Sequence, residues 1–365
     1  MLIKDLNSSL IGRVKSLDVN KPETRVYGLY ALNIAFGEIW RAAWWTYRKK
    51  LGQVTLIPKY TTGTCSYTQG TKTVSFSGAT LISSMAGRFW KPNNSSNSYL
   101  IIYVSGSSIY LSTEISEATA SGQTYEIWKR FYYLNSDVDM VLDGFNHEES
   151  TVINQRGDSH ISSEYGAAYG DGSTSLISEF GGNQFNDSEY STGTISLTAN
   201  NKIATGSGTS WLSSGVSAGD VLVKDSKEYY IKRVETDERI VLHNYAIADV
   251  AEGSSYVIRK KTPVGVQFYK TSENYRLIDY TYLTKPWKFV NEDYEHFPMD
   301  DDFEKVILER AESVILGDID KDQKWINKLN TYQGMLTVLI DKKDVIRPKT
   351  PQFRPNIPSY MPGRG

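Results

Sequence analysis

Apolar residues near the start of the chain recur every three or four positions, at Ile3, Leu6, Leu10, Val14 and Leu17. That spacing puts them on one side of a helix. Asn20 and Pro22 then punctuate the chain, as a cap region and a first-turn proline do. A longer helical pattern follows through PETRVYGLYALNIAFGEIWRAAWWTYRKK, carried by Val26, Leu29, Leu32, Phe36, Ile39, Trp40, Ala43 and Tyr47. In such a helix Trp40 and Trp44 stand one turn apart with Trp45 beside them, as a packing face or a subunit interface. Gly52 falls where a C-terminal cap is expected, and Arg41, Arg48, Lys49 and Lys50 would complement the helix dipole. No second basic stripe supports reading these cations as a phosphate-binding patch.

The period then changes from helical to alternating, in a long region rich in Thr, Ser, Tyr and Val. Within it one pattern occurs twice. TGTCSYTQGTKTVSFSGATLISSMAGRFW begins at Thr62, and TGTISLTANNKIATGSGTSWLSSGVSAGDVLV at Thr192. Both copies run from Thr-Gly-Thr through two strand-like pieces to an Ala-Gly pair, Ala86-Gly87 and Ala218-Gly219. The match continues from YLIIYV at Tyr99 to YYIKRV at Tyr229, from IYL at Ile109 to IVL at Ile240, and from YEIWK at Tyr125 to YVIRK at Tyr256. The offset stays near ~130 residues, which marks an internal duplication of a small β-module of about 70 residues. GSGTS at 206–210 lacks the lysine and following helix of a phosphate loop, so its glycines are turn and bulge positions. Trp211 is expected to plug the module's core.

Between the copies, residues 135–191 are rich in Gly, Ser and Asn and read as extended surface loops, with a short helix near Asp158–Ala168. Beyond the second copy, VGVQFY and YRLIDYTYL read as a strand–turn–strand pair. Helical spacing then returns. Asp301 and Glu304 have the spacing of a capping box. Phe303, Val306, Ile307, Arg310, Val314 and Ile315 define one face, and the helix is expected to break near Gly317. A last helix carries Trp325, Leu329, Tyr332, Leu336 and Leu339 as its stripe, with Trp325 a packing or interface residue. The chain closes with prolines at 348, 351, 355, 358 and 362, which exclude helix or central strand and favour an extended arm.

The expected fold class is α+β, divided as follows. Residues 1–61 form the N-terminal helical part of the body, 62–134 the first β-module, and 135–191 a connecting segment. Residues 192–264 form the second module, 265–345 the strand pair and helices that complete the body, and 346–365 the extended arm. The helices of 1–50 should pack on those of 300–342, since neither pair can bury its apolar stripe alone.

Composition adds limits. Of 365 residues 40% are hydrophobic and 22% charged, with a formal net charge of −2, so nothing electrostatic argues for gripping nucleic acid. One cysteine, Cys65, leaves no internal disulfide and fits a reducing compartment. Neither a signal-peptide core nor a run of eighteen apolar residues is present, so no membrane is expected.

Candidate chemistry is sparse. His147, His160, His243 and His296 are scattered, without metal-ligand spacing. Asp318, Asp320 and Asp322 start like a calcium loop, but Gln323 replaces its glycine and Leu329 its bidentate glutamate. Asp137, Asp139 and Asp143 also miss the spacing. No nucleophile elbow, Walker or dinucleotide fingerprint occurs, so the expectation is a non-enzyme without metal or cofactor.

The order of helical pair, VTLIPKY strand, β-insertions, VGVQFY…YRLIDYTYL, the acidic loop before FEKVILERAESVILGD, a final helix and a proline-rich arm resembles the head-to-tail adaptor proteins of tailed, especially short-tailed, bacteriophages. The resemblance covers about 1–60 and 263–345. The duplicated module departs from the smallest adaptors, and Gln267–Asn274 lacks prolines that often mark the family's strand turn. The resemblance implies a virion structural protein of the neck, assembled in the host cytoplasm as a homododecamer beneath the portal ring. Tail nozzle or tail-tube proteins would dock below, and genomic DNA would pass through without specific binding during packaging and ejection. It also implies a partner for the arm, the portal ring first and a neighbouring subunit second. There Phe353 and Tyr360 would fill pockets, Arg347, Arg354 and Arg364 would pair with carboxylates, and Pro348 and Pro355 would hold the chain extended. The alternative is a tail-fibre or baseplate protein whose β-modules bind host surface polysaccharide.

Overall fold

The computed structural model describes residues 1–14, 17–18, 20–93, 95–146, 151–155, 176–180, 189–261, 263–269, 274–319 and 324–343. Among these, the protein is α+β, with four α-helices and three sheets. The helices are α1 (Ile3–Arg13), α2 (Pro22–Ala42), α3 (Glu304–Ile319) and α4 (Lys324–Lys342). The expected short helix at 158–168 and the arm at 346–365 lie outside the described residues.

The two chain ends share one core. Ile3, Leu6 and Leu10 of α1 and Leu32, Phe36, Ile39 and Trp40 of α2 pack with Phe289, Phe297, Phe303, Ile307, Ile315, Tyr332 and Leu339. Neither helical pair has a wide enough apolar face to be stable alone, so each covers the other. Val26 does not belong to this face. It is 70% exposed, because the buried side of α2 runs instead through Gly28, Ala31, Leu32, Ala35, Phe36, Ile39 and Trp40. Gly317 lies within α3 rather than ending it, in contact distance of Trp325. The expected capping box at Asp301 and Glu304 is replaced by a 3-10 turn, Asp301–Phe303, which has no side-chain cap. Asp300 is drawn instead to Lys343, at 2.8 Å.

Helix α2 ends at Ala42, eight residues short of the expected Lys50, and Ala43 is already extended (φ −149°, ψ 171°). A single 3-10 turn, Thr46–Arg48, leads into a strand, Lys49–Leu56. From Lys49 burial alternates every second residue, which only a strand can satisfy. Trp44 therefore lies past the helix and not one turn along it from Trp40. Gly52 is no helix cap either. It stands opposite Tyr280, and a Cβ there would come within 2.4 Å of the tyrosine ring. The basic cluster is likewise dispersed. Arg48 is buried, donating to the Ala43 and Thr284 carbonyls at 3.2 Å and to Asp139, while Lys50 pairs with Asp137 at 3.0 Å.

That strand is the edge of a seven-stranded sheet. Its order is Lys49–Leu56, Arg276–Thr284, Val138–Asn146, Thr151–Gln155, Leu176–Phe180, Gly265–Tyr269 and Phe131–Tyr133. All neighbours are antiparallel except Thr151–Gln155 with Leu176–Phe180. Two expectations are corrected here. Among the described residues the connecting segment contributes three strands to this sheet, and Glu189–Tyr190 to the next, instead of loops alone. Gly265–Tyr269 and Arg276–Thr284 belong to one sheet but are not neighbours, since those three strands separate them.

The duplicated segments carry one strand order. In the first the sheet runs Ala120–Gln123, Thr64–Tyr67, Thr73–Ser77, Ser108–Leu111, Tyr99–Ser105, Phe89–Pro92, Tyr125–Trp128. In the second it runs Val250–Ser254, Thr194–Leu197, Ile203–Ser207, Arg239–Leu242, Lys227–Thr236, Val221–Lys224, Val257–Arg259, with Glu189–Tyr190 added at the end. Thr124 alone separates the two edge strands of the first copy, so that sheet must curl until its edges are close. Details repeat as well. Gly63 and Gly193 both have positive φ, 84° and 78°, and in both a Cβ would press on the carbonyl of Ser77 or Ser207. The hydroxyls of Tyr125 and Tyr256 donate to the carbonyls of Thr62 and Thr192 at 2.6 and 2.7 Å. The tryptophans are not equivalent. Trp211 lies in a turn, is fully buried and donates to the Tyr256 hydroxyl at 2.8 Å, whereas Trp90 fills the first core from the strand Phe89–Pro92.

Candidate functional site

A buried polar network lies where the second module meets the helical body. His243 follows the strand Arg239–Leu242 and stacks on Trp287, ring centroids 4.2 Å apart and 17° from parallel. The next residue, Asn244, is fully buried and spans the junction. Its amide nitrogen donates to the Lys288 carbonyl (2.7 Å) and to Glu295 Oε1 (2.9 Å), and its oxygen accepts from the Tyr230 backbone (2.8 Å). Glu295 also accepts from the Val290 N–H at 2.8 Å. Burial raises the Glu295 carboxyl above its ordinary pKa, against those hydrogen bonds.

On the other side, Gly219 lies directly on the backbone of Ser136 and Asp137, with the Asp137 N–H bonded to the Ala218 carbonyl at 2.9 Å. Asp137 accepts from Lys50 at 3.0 Å, and Lys285 donates to the Ser136 carbonyl at 3.0 Å. Two cavities of about 330 and 310 Å³ share His243 and Trp287 as a common wall. Arg41 and Lys285 line the first, and Lys50, Lys202 and Lys232 the second. Lys202 lies 4.3 Å from the centre of the Tyr245 ring, and burial, then Lys232, lowers its pKa. The result is an aromatic shelf with cations on its rim and the carboxylates of Asp137 and Glu295 in the same walls.

His243 is not a proton shuttle at neutral pH. Burial first, then Lys50, Lys232 and Lys202, press its pKa down to about 3 from 6.5. Because the folded pKa lies below the unfolded one, the unfolded chain binds the proton first. Stability from this residue is therefore complete above pH 6.5 and is lost as pH falls toward about 3. His243→Phe keeps a ring to stack on Trp287 but cannot titrate. It is expected to flatten the fall in stability over that window by on the order of a few kcal/mol, measured as urea unfolding against pH. An unchanged pH profile would show that His243 stays accessible to protons in the folded chain.

Of the residues singled out in the sequence, the structure brings Trp40 and Trp45 together in the helical core, with Trp44 also buried. The Trp40 indole donates to the Thr284 carbonyl at 2.8 Å, and that of Trp45 to Ile39 at 2.7 Å. Trp325 is half-buried and lines an open cleft with Tyr30, Val314, Arg310 and Asp318. Arg347, Pro348, Phe353, Arg354, Pro355, Tyr360 and Arg364 lie outside the described residues. The junction residues His243, Asn244, Trp287 and Glu295 carried no signal of spacing. The one available clue was the change from IIY to IKR between the copies, which puts Lys232 and Arg233 where the first copy has Ile102 and Tyr103.

Among the described residues no three His, Cys, Asp or Glu side chains are grouped to hold a metal, and no helix is long and apolar enough to cross a membrane. The sequence matches no family model and no curated protein.

Proposed function

We propose that this protein is a virion structural protein of the phage neck, a ring beneath the portal that joins head to tail and extends the DNA channel. The observation that carries the reading is the hub built from both chain ends. Helices more than 250 residues apart in sequence share one core, and both β-modules are looped out of it. Such a hub can pack against copies of itself while the inserts face tail proteins. In this reading the ring is a dodecamer, the portal lies above, nozzle or tube proteins lie below, and DNA passes without being gripped.

The test is assembly. Deleting residues 346–365 is expected to leave the subunit folded and soluble while weakening its attachment to portal-bearing heads, scored by the yield of tailed, infectious particles. Wild-type yield would remove the arm from the docking step, and a trimer in place of a large ring in the assembled particle would remove the adaptor reading. The second reading, a tail-fibre or baseplate protein gripping polysaccharide, is favoured by one observation. The His243–Trp287 shelf beside Arg41, Lys202 and Lys232 would suit an acidic sugar. Glycan binding that is lost on Trp287→Ala would support it.

A further inference from the structure

Hydrogen bonds repeated in the two modules fix which residues correspond. Leu111 and Leu242 donate their N–H to the carbonyls of Lys72 and Lys202, at 2.8 and 2.7 Å. Ser112 and His243 donate to those of Leu100 and Tyr230, at 2.9 and 2.8 Å, and Ile115 and Ala246 to Thr71 and Asn201, both at 2.9 Å. Between these anchors Glu114 corresponds to Tyr245, and the strand register matches Ile102 to Lys232. One lysine, Lys72 or Lys202, is thus common to both copies, but the residues of that corner are not. From the first copy to the second, Ser112 becomes His243, Glu114 becomes Tyr245 and Ile102 becomes Lys232. A carboxylate is lost, a cation is gained and two aromatic rings appear.

Lys202, Lys232, His243 and Tyr245 all line the cavity of about 310 Å³ between the second module and the body. The two acids near it are already engaged. Glu295, in its lining, accepts from Asn244 and from the Val290 N–H, and Asp137, in the neighbouring cavity, accepts from Lys50. Lys202 and Lys232 have no carboxylate at ion-pair distance among the described residues. Lys202 is half-buried and lies on the Tyr245 ring instead. Withdrawing an ammonium group from water without a counter-charge is costly, and Lys232 adds repulsion to that cost. The potential at the wall has the same sign, since the charges that act on His243 after burial are Lys50, Lys232 and Lys202. We propose that this cavity binds a phosphate group, held by Lys202 and Lys232. The use of lysine selects phosphate over the carboxylate of an acidic sugar. An arginine fork matches a planar carboxylate, whereas two separate ammonium groups act as point charges that share the several oxygens of a tetrahedral anion. Free phosphate and a small phosphate ester both present that group. The site stands whether the protein is a ring or a fibre.

The full-length protein is titrated calorimetrically with sodium phosphate at neutral pH and low ionic strength, and separately with AMP and with glucuronate. Saturable phosphate binding is the expected result. Lys202→Met, and Lys232→Ile, which installs the residue of the first copy, are each expected to weaken it about tenfold. Neither substitution breaks an ion pair, and urea unfolding of each variant checks that the fold is kept. Lys72→Met, at the corresponding lysine of the first copy, is expected to bind phosphate as the parent does. Tighter binding of AMP than of phosphate would identify the ligand as an ester, and the reverse as the free ion. No phosphate binding, or unchanged binding when Lys202→Met and Lys232→Ile are combined, would overturn the proposal. So would an equal loss on Lys72→Met, which would mark the binding as diffuse. Glucuronate bound in place of phosphate would also overturn it, and would favour the acidic-sugar reading. The mass of the assembled particle is unaffected by any of these outcomes, so the ring reading stands or falls separately.

Discussion

Replacing Trp40 by Ala is expected to destabilise the helical body by roughly 3–5 kcal/mol. The indole is 2% exposed and touches Phe36 and Trp287, with ring centroids 5.2 and 5.3 Å away. Truncation would remove that burial and leave a cavity the surrounding helices can only partly fill. It would also strip a buried donor from the Thr284 carbonyl, which the indole holds at 2.8 Å. Thr284 ends the long strand Arg276–Thr284, so this bond ties α2 to the sheet and the damage should reach both. Helical circular dichroism followed through denaturant unfolding is the measurement. A loss below about 1 kcal/mol would mean the body is held elsewhere.

The second large effect is a matched pair of glycines. Gly219→Ala is expected to cost about 3 kcal/mol or more, and Gly87→Ala about 1–2 kcal/mol. Both have positive φ, 93° and 80°, so both substitutions carry the backbone penalty of an L-residue in that region. Only at Gly219 would the new methyl also strike backbone, that of Ser136 and Asp137, which cannot swing aside as a side chain can. Gly219→Ala should therefore also loosen the second module from the body, seen as earlier proteolysis between 260 and 285, while Gly87→Ala should not. Equal costs at the two positions would mean that the second module is not seated as described.

Much of the body was legible in the sequence, but unevenly. The 3.6-residue period placed α1, α3 and α4 because an amphipathic helix repeats its demand at every turn. It misjudged the end of α2, since Trp44, Trp45 and Tyr47 continue an apolar run that says nothing about whether the backbone has already become extended. Val26 joined the predicted stripe because its spacing is tolerable; its 70% exposure follows from where α3 packs, which no local window contains. The repeat was the strongest signal, since an ordered series of strand-sized matches at a constant offset specifies a fold twice.

From the sequence alone came the α+β class, the helical ends, the two copies of one module and the scarcity of catalytic motifs. Only the tertiary structure decided the rest. It decided that residues of the connecting segment separate two strands expected to pair, that Gly52 makes room for Tyr280, and that the second module is seated at His243, Asn244 and Gly219 while Gly87, the first module's equivalent of Gly219, faces open space. The physical reason is the range of the interactions. Periodicity and turn chemistry are set by neighbours a few residues apart, so they can be read along the chain. Strand order and module docking depend on hydrogen bonds and packing between residues as distant as Asn33 and Phe289, which compete with every other possible pairing until the chain has folded.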